Sequence, residues 1–304
     1  MIFAAEVDIW RYQPHPEVWL LVMGAIVLAV YAVRVVGPHA VPAGQPVVSR
    51  RNVVAYVLAI VALWGASDWP LHDISEEYLY SSHMLQHIII SFIVPPLLLT
   101  ATPEWLARLI MSPDGRAGTW IRRFSHPVVA GVVFNLVIAV THLTNIVNTS
   151  VNNGIFHYLV HLVVFLASMM MWIPVVGPIH ELRMKLPGQM VYLFLNSVIP
   201  TVPAAFLTFA DGALYEVYDH PVRLWGISVV SDQQAAGVIM KLVGGMYLWS
   251  WIIGRFFQWH RAELGDRPDL FLVPTPDVAP LDADLTYEAV QAEFDRTDPA
   301  PSDN

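Results

Sequence analysis

Apolar residues occur in long runs along this chain, and short polar segments that hold most of the charged residues separate them. Each run approaches the ~20 residues that an α-helix needs to cross the hydrocarbon core of a bilayer. The pattern predicts an all-α, polytopic membrane protein with seven transmembrane helices. The predicted spans are Val18–Val36, Asn52–Ser67, Tyr80–Ala101, Pro127–Ile146, Ile155–Val176, Pro187–Ala210 and Ser231–Trp259.

Proline and serine positions predict where some of these spans bend or begin. Pro95–Pro96 in the third span, and Pro200 with Pro203 in the sixth, are expected to bend or break the helix because proline removes a backbone donor. Ser231 resembles the first residue of a capping box, which would start the seventh span there.

Composition agrees with a membrane protein and excludes several other classes. The chain has 304 residues, of which 56% are hydrophobic and 13% are charged. An average soluble domain has about 25% charged residues, so a soluble globular enzyme is excluded. The chain contains no cysteine, which excludes a disulfide scaffold and any thiolate metal site.

Charge divides the chain into a neutral body and an acidic tail. Residues 262–304 contain 11 acidic and 2 basic residues, so they account for the whole net charge of -9. They are also rich in proline and aspartate and poor in apolar side chains, which predicts a largely disordered extension. We therefore expect a seven-span membrane domain over residues 1–261 and an acidic tail over residues 262–304.

Basic residues predict the orientation of the spans. Eleven lysine and arginine residues fall in one set of loops and two in the other. Lysine and arginine are enriched in cytoplasmic loops, so this asymmetry places the N-terminus outside and the acidic tail in the cytoplasm.

Two pairs of histidines point to a metal site. His83 and His87 are four residues apart in the third span, and His157 and His161 are four apart in the fifth. Residues at i and i+4 share one face of a helix, so each pair can present two imidazoles to one ion. Both pairs lie in the outer turns of their spans at a similar depth, where His142 could join them. A zinc protease is excluded because glutamate does not follow the first histidine of either pair.

The donor types narrow the choice of metal. Imidazole suits copper, zinc and iron, and the thioether of Met84 would favour Cu(I). Asp68, Asp73 and Asp232 are the carboxylates that could support the histidines, although Asp232 opens a helix and could equally act as its cap.

Polar and sulfur-bearing residues deeper in the membrane leave two alternatives open. Met169, Met170 and Met171 could form a soft path for a metal, or could simply be core residues. Lys241 lies near the expected midplane of the seventh span, where it would pair with a group from another span or remain a structural lysine.

Four sequence blocks, in order, resemble the integral-membrane CtaG family of cytochrome c oxidase assembly factors. They cover about residues 50–260, and the blocks around His83 and Asp232 are the more specific. The blocks are Asp68-Trp-Pro-Leu-His-Asp73, Ser82-His-Met-Leu-Gln-His87 running to Val94-Pro-Pro-Leu-Leu98, His157-x-x-x-His161 running to Trp172-x-Pro-x-x-Gly-Pro178, and Ser231-Asp-Gln-Gln-Ala-Ala-Gly-Val-Ile-Met240.

The resemblance implies a function and a set of ligands. It implies a multi-pass protein of the bacterial plasma membrane that helps to mature a haem-copper cytochrome c oxidase by supplying copper. Its partners would be oxidase subunits, the copper ion and the bilayer, with no nucleic acid. The work would be ligand exchange and not enzymatic catalysis. The copper ligands it implies are His83, His87, His157 and His161, with His72 and Asp232 as weaker additions.

Three other interpretations stay open at this point, one of which is a metal-free scaffold whose histidines only form hydrogen bonds. The deep methionines and Lys241 are compatible with a copper transporter. Histidines that face each other across helices are also compatible with a haem-binding electron-transfer protein.

Overall fold

The protein is helical throughout the part of the chain that the structure describes. This computed structural model describes residues 10–112, 115–220, 223–266 and 287–295, and no β-strand occurs in them. Five helices are long and apolar enough to cross a membrane, and the number rises to seven if each of two bent pairs forms one span. The predicted all-α membrane architecture is therefore confirmed, with five to seven spans.

Thirteen α-helices are present in the described ranges, besides three single 3-10 turns. In chain order they are α1 (Pro16–Ala40), α2 (Arg50–Ser67), α3 (Leu71–Glu77), α4 (Tyr80–Ala101), α5 (Glu104–Ile110), α6 (Arg116–Phe124), α7 (Pro127–Thr141), α8 (Thr144–Asn152), α9 (Gly154–Val176), α10 (Leu186–Val198), α11 (Thr201–Thr208), α12 (Val229–Asp266) and α13 (Tyr287–Phe294).

Several predicted helix ends differ from the structure. The fourth span ends at Thr141 and not at Ile146, and a separate helix, α8, follows it. The side chain of His142 bonds back to the carbonyl of Ile138 at 2.7 Å, and Leu143 is extended. Helix α8 is rich in serine, threonine and asparagine, which makes it too polar to continue an apolar span.

Prolines affect two spans differently. Helix α4 has the predicted bounds, and it stays continuous through Pro95 and Pro96 because a wide π-helical turn over Ile89–Ile93 precedes them. Around Pro200 the expected break does occur, between α10 and α11. The seventh span begins earlier than predicted: Ser228, and not Ser231, is its cap and accepts a hydrogen bond from the Ser231 amide at 3.1 Å.

The apolar core is built around the second half of α9. Trp172 and Met171 are fully buried there among side chains of α4, α7, α10 and α12. Trp172 Nε1 donates to the carbonyl of Ser91 at 3.1 Å, which ties α9 to α4. Because α4 and α9 are held together along this core, their first turns are fixed relative to each other. Those turns carry the two histidine pairs.

Of the predicted acidic tail, the structure describes two parts. Residues 262–266 continue the helix that begins at Val229, and Tyr287–Phe294 forms the short helix α13. Residues 267–286 and 296–304 lie outside the described residues, so the disordered tail stays a prediction.

Candidate metal centre

Three histidines and one glutamate converge at the start of α4 and α9. Glu76, His83, His157 and His161 each offer one ligand atom, and these four atoms lie within 4.8 Å of one another. His157 Nε2 contacts the Glu76 carboxylate directly. The rings of His157 and His161 are 4.3 Å apart, and that of His83 is 5.4 Å from His161. The two helices therefore bring their histidines to one point, as the spacing predicts.

His87 joins the same group of rings. Its Nε2 atom is 2.9 Å from Nε2 of His83, and its ring centre is 4.7 Å from that of His161. Two nitrogens bound to one ion at about 2.0–2.1 Å are themselves about 3 Å apart in a right-angled or tetrahedral site. The separation of the two nitrogens thus matches that of ligands on a shared ion.

In His142 and His157, the Nδ1 atom makes a contact outside the group of histidines, which leaves the Nε2 atom facing the other members of the group. His142 Nδ1 donates to the Ile138 carbonyl at 2.7 Å, so its Nε2 atom keeps a lone pair. His157 Nδ1 lies 3.1 Å from Ser150 Oγ, and this contact orients Nε2 toward Glu76. Bonds of this kind commonly orient histidine ligands in metal sites.

Four buried ring nitrogens in the group have no hydrogen-bond partner among the described residues. They are Nδ1 of His83 and the Nε2 atoms of His142, His157 and His161, of which His157 Nε2 lies in contact with the Glu76 carboxylate. Buried polar atoms are rarely left unpaired because the loss of water bonds costs about 1–3 kcal/mol each. A bound cation would satisfy such lone pairs, so the donor set fits a metal ion.

Between the rings lies a small cavity with a tyrosine cover. Its volume is ≈ 20 Å³, which is enough for one ion or one water molecule. Tyr80 and Tyr218, which are both buried, line it together with the histidines, and Tyr80 stacks on His83 at 5.8 Å. A haem macrocycle does not fit in a space of this size, so the geometry does not favour haem between these imidazoles.

Comparison with known proteins identifies the chain at the level of a family. Residues 20–262, most of the chain, match the family described as cytochrome c oxidase caa3 assembly factor (Caa3_CtaG). The chain belongs to this family. No curated protein and no solved structure matches the chain. The family resemblance predicted from the sequence blocks is confirmed, and with it a role in cytochrome c oxidase assembly.

Asp232 of this assembly factor is not part of the group of ligands. Its two carboxylate oxygens accept hydrogen bonds from the backbone amides of Tyr80 at 2.7 Å and Ser81 at 3.0 Å. Asp232 therefore caps α4, the helix that carries His83 and His87, and not its own helix. Four amides at the start of a helix lack partners within the helix, so this long-range cap fixes the position of the first histidine pair.

His72 lies beside the metal centre and belongs to a neighbouring network. Its Nδ1 atom is 3.3 Å from Gln86 Nε2 and 3.9 Å from the Glu76 carboxylate. The other face of its ring packs against His15, whose Nε2 atom is 2.8 Å from Asp73. Asp73 is thus paired with His15.

Asp68 also has other partners. It accepts hydrogen bonds from the indoles of Trp19 and Trp64 and from the Trp69 amide. Neither Asp68 nor Asp73 belongs to the group of four ligands.

Glu76 is the member of this group that the sequence pattern does not predict. It falls among the acidic residues of a predicted outer loop, and its seven-residue spacing from His83 crosses the break between α3 and α4. The chain leaves the helix at Tyr78 and Leu79, between α3 and α4, and this change of direction turns Glu76 back toward His157. The sequence does contain one indication of where Glu76 lies. His72 and Glu76 are four residues apart, so they share one face of a helix.

A second, larger cavity borders the other side of the same histidines. Its volume is ≈ 360 Å³, and residues of α1, α2, α3, α4 and α9 line it. Its walls are mainly apolar, including Leu21, Leu162 and Phe165, and one end reaches His157 and His161. These two histidines therefore separate the small polar cavity from a larger apolar one.

The deeper polar and sulfur-bearing residues have structural partners. Met169 and Met171 pack in the apolar core around Trp172, so they do not form a separate lining toward the histidines. Lys241 Nζ donates to Thr201 Oγ1 at 2.6 Å, where α10 and α11 are interrupted. Of the alternatives that the sequence leaves open for Lys241, the structure shows a hydrogen bond to a polar group from another helix. The transporter alternative gains no support from these residues.

Proposed function

We propose that this assembly factor binds one copper ion with His83, His157, His161 and Glu76, and passes the ion to cytochrome c oxidase. The observation that carries the proposal is the convergence of four ligand atoms within 4.8 Å in a buried site. His87 and His142 line the same cavity and would serve as alternative ligands during exchange. Copper is the cargo of this reaction, and no covalent chemistry is needed.

The donor set supports copper among the common metals. The chain has no cysteine, so the centre depends on imidazole nitrogen and one carboxylate. For sites of this type, Cu²⁺ binds more tightly than the other divalent first-row ions. An oxidase that contains copper centres needs an external source of the ion, which agrees with the family role in oxidase assembly.

We further propose that the histidine end of the bundle faces the outside of the bacterial cell membrane. The asymmetry of lysine and arginine between the two sets of loops supports this orientation. Copper would then bind on the outer side of the membrane, and the acidic tail would lie in the cytoplasm.

The larger cavity supports a lateral route for delivery. The tyrosines Tyr80, Tyr215 and Tyr218 pack on one another over the small cavity, which covers the site from the end of the bundle. The ≈ 360 Å³ cavity reaches the same ligands from the side, through apolar residues. An oxidase subunit is itself a membrane protein, and it would receive the ion through this side.

The test is metal analysis of protein purified without a histidine tag. We expect about one copper per chain in the wild type and a weaker affinity in His83→Ala and His161→Ala, by at least about tenfold because a ligand is lost. The matched control is His39→Ala, which removes an exposed imidazole at the opposite end of the bundle. It should keep both copper content and oxidase maturation.

Two results would contradict the proposal. One is equal copper content and equal oxidase maturation in His161→Ala and His39→Ala. The other is wild-type protein that retains zinc or iron and excludes copper when all three are supplied. Oxidase maturation is measured as oxidase activity in cells that express each variant.

A further inference from the structure

A large polar cavity lies at the end of the bundle opposite to the histidines. Its volume is ≈ 510 Å³, and it is lined by the start of α2, the end of α4 and the segment after α9. Val176 lies nineteen residues after His157 in α9, which is about 28 Å at 1.5 Å per residue. The hydrocarbon core of a bilayer is about 30 Å thick, so this cavity lies at the other membrane surface.

Two arginine side chains in this cavity lack an acidic partner among the described residues. Arg51 and Arg183 both line it, and no ion pair is formed by either. Arg183 uses its Nε atom on the carbonyl of Gly177, which leaves its other N–H donors available. Burial, and then the positive charge of Arg51, lower the pKa of Arg183 below its usual range. The two guanidinium groups are therefore close enough to repel each other.

One acidic residue lines the cavity beside the two arginines. The carboxylate of Glu104 is held by Arg108, which also contacts Glu181 at 2.8 Å. Among the side chains that line the cavity, Arg51 and Arg183 therefore outnumber the one carboxylate. A bound anion would relieve the repulsion between the two cations.

The surroundings favour an anion attached to a lipid. Trp105 lines the cavity and donates its indole N–H to the Val47 carbonyl at 2.9 Å. Tryptophan is typical of the membrane interface, and basic pockets between helices at that depth bind phospholipid head groups. A volume of ≈ 510 Å³ is in the range of pockets that hold a small molecule.

We propose that this cavity, which we call the arginine cavity, binds a phosphate group through Arg51 and Arg183, and that an anionic phospholipid supplies it. Guanidinium groups match the geometry of phosphate oxygens and can donate two hydrogen bonds at once. The proposal is independent of copper binding, since the two sites lie at opposite ends of α4 and α9.

The experiment measures lipid retained by the full chain after reconstitution. Wild-type protein and variants are placed in phosphatidylcholine bilayers with or without phosphatidylglycerol, then released into detergent and weighed by native mass spectrometry. Arg51→Gln and Arg183→Gln should each weaken phosphatidylglycerol binding by about fivefold or more, because each removes a guanidinium group that lines the cavity. The matched control is Arg50→Gln, which removes the same charge from the adjacent position and should retain the lipid.

A second arm supplies inorganic phosphate to protein in phosphatidylcholine alone. If phosphate binds in the wild type and is lost in the same two variants, the arginine cavity binds phosphate but the source is the free ion. The proposal is overturned if Arg51→Gln and Arg183→Gln retain as much phosphatidylglycerol as Arg50→Gln and inorganic phosphate does not bind. Thermal unfolding of each variant in phosphatidylcholine confirms that all of them fold.

Discussion

Glu76 differs from the three histidines of the candidate centre in both charge and chemical type. It would supply a hard carboxylate oxygen to a centre otherwise made of imidazole nitrogens, and it contacts His157 directly. A carboxylate stabilises a doubly charged ion more than a singly charged one because the attraction grows with the charge of the ion. Nitrogen and oxygen donors together are also typical of Cu(II) sites. Under the proposed function, the oxidation state that the centre favours would therefore depend on this one residue.

We predict that Glu76→Gln weakens Cu(II) binding by about tenfold or more and Cu(I) binding by less. The affinities are measured by competition titration with a chelator under oxidising and reducing conditions. Glu77→Gln is the control, since Glu77 is exposed and hydrogen-bonds to Gln13 away from the centre. Equal losses for both ions, or no loss for either, would contradict the assignment of Glu76 as a ligand.

Helical spacing shows how far sequence alone can predict the centre. His83 with His87, and His157 with His161, could be paired from their four-residue spacing because each pair lies within one continuous helix. Glu76 could not be placed because the chain changes direction at Tyr78 and Leu79. Residue spacing predicts contacts only within one helix. Contacts across a helix break or between helices depend on packing.

Asp232 makes a contact between two helices, which sequence spacing does not predict. It was predicted as a weaker ligand or as the cap of its own helix, and instead it caps α4 from α12. Ser228 caps α12 in its place. A cap that comes from a distant helix joins the two elements as well as ending one of them.

We predict that Asp232→Ala lowers the free energy of unfolding by about 1–2 kcal/mol, since two buried amides lose their acceptor. The copper stoichiometry of the folded fraction should stay at the wild-type value because Asp232 is held by the amides of Tyr80 and Ser81 and lies outside the proposed ligand set. Thermal unfolding and metal analysis of the same preparation measure both quantities. Asp211→Ala removes an exposed aspartate and serves as the control. Loss of copper without loss of stability would make Asp232 a ligand after all.

The pair formed by His15 and Asp73 connects the start of α1 to α3. Burial opposes the charge on His15, but the hydrogen bonds that its ring donates to the carboxylates of Asp73 and Glu17 outweigh it and raise its pKa above the ordinary value. The protonated form is therefore the one that the fold favours, next to Asp73, Glu17 and the ring of His72.

We predict a pH-dependent stability that His15 controls. Because the pKa of His15 is higher in the folded than in the unfolded protein, its contribution is complete at low pH and is lost as pH rises through the folded pKa. The thermal unfolding midpoint of His15→Asn should therefore approach that of the wild type as pH rises. A difference between the two proteins that stays constant with pH would contradict this prediction.

For the molecule as a whole, two cavities border the histidines, and under the proposed function they would separate loading from delivery. The all-α membrane class and the approximate position of the long apolar helices could be predicted because apolar runs of that length have few alternatives. The cavities could not, because they arise from gaps in the packing of α4, α7, α8 and α9 in one case and of α1, α2, α3, α4 and α9 in the other, and no local pattern reports such a gap.

We predict that Leu162→Trp, which fills part of the larger cavity, leaves copper content unchanged and lowers oxidase maturation. The ligands are untouched, but an oxidase subunit would no longer reach them from the side. Leu159→Trp is the control, since Leu159 lies on the same helix and is exposed outside the cavity. Normal oxidase activity with copper-loaded Leu162→Trp would contradict a lateral route, whereas a loss of copper in this variant would show that the cavity supports the ligands.

The helix break at Tyr78 and Leu79, between α3 and α4, has a consequence for metal release under the proposed function. Glu76 lies on the seven-residue helix α3, whereas the three histidines of the candidate centre lie on the long helices α4 and α9, which pack in the core. A small tilt of α3 alone would withdraw the carboxylate and reduce the coordination number by one, with the histidines left in place. A recipient protein that contacts this short helix could thus convert a holding site into a releasing one without any rearrangement of the bundle.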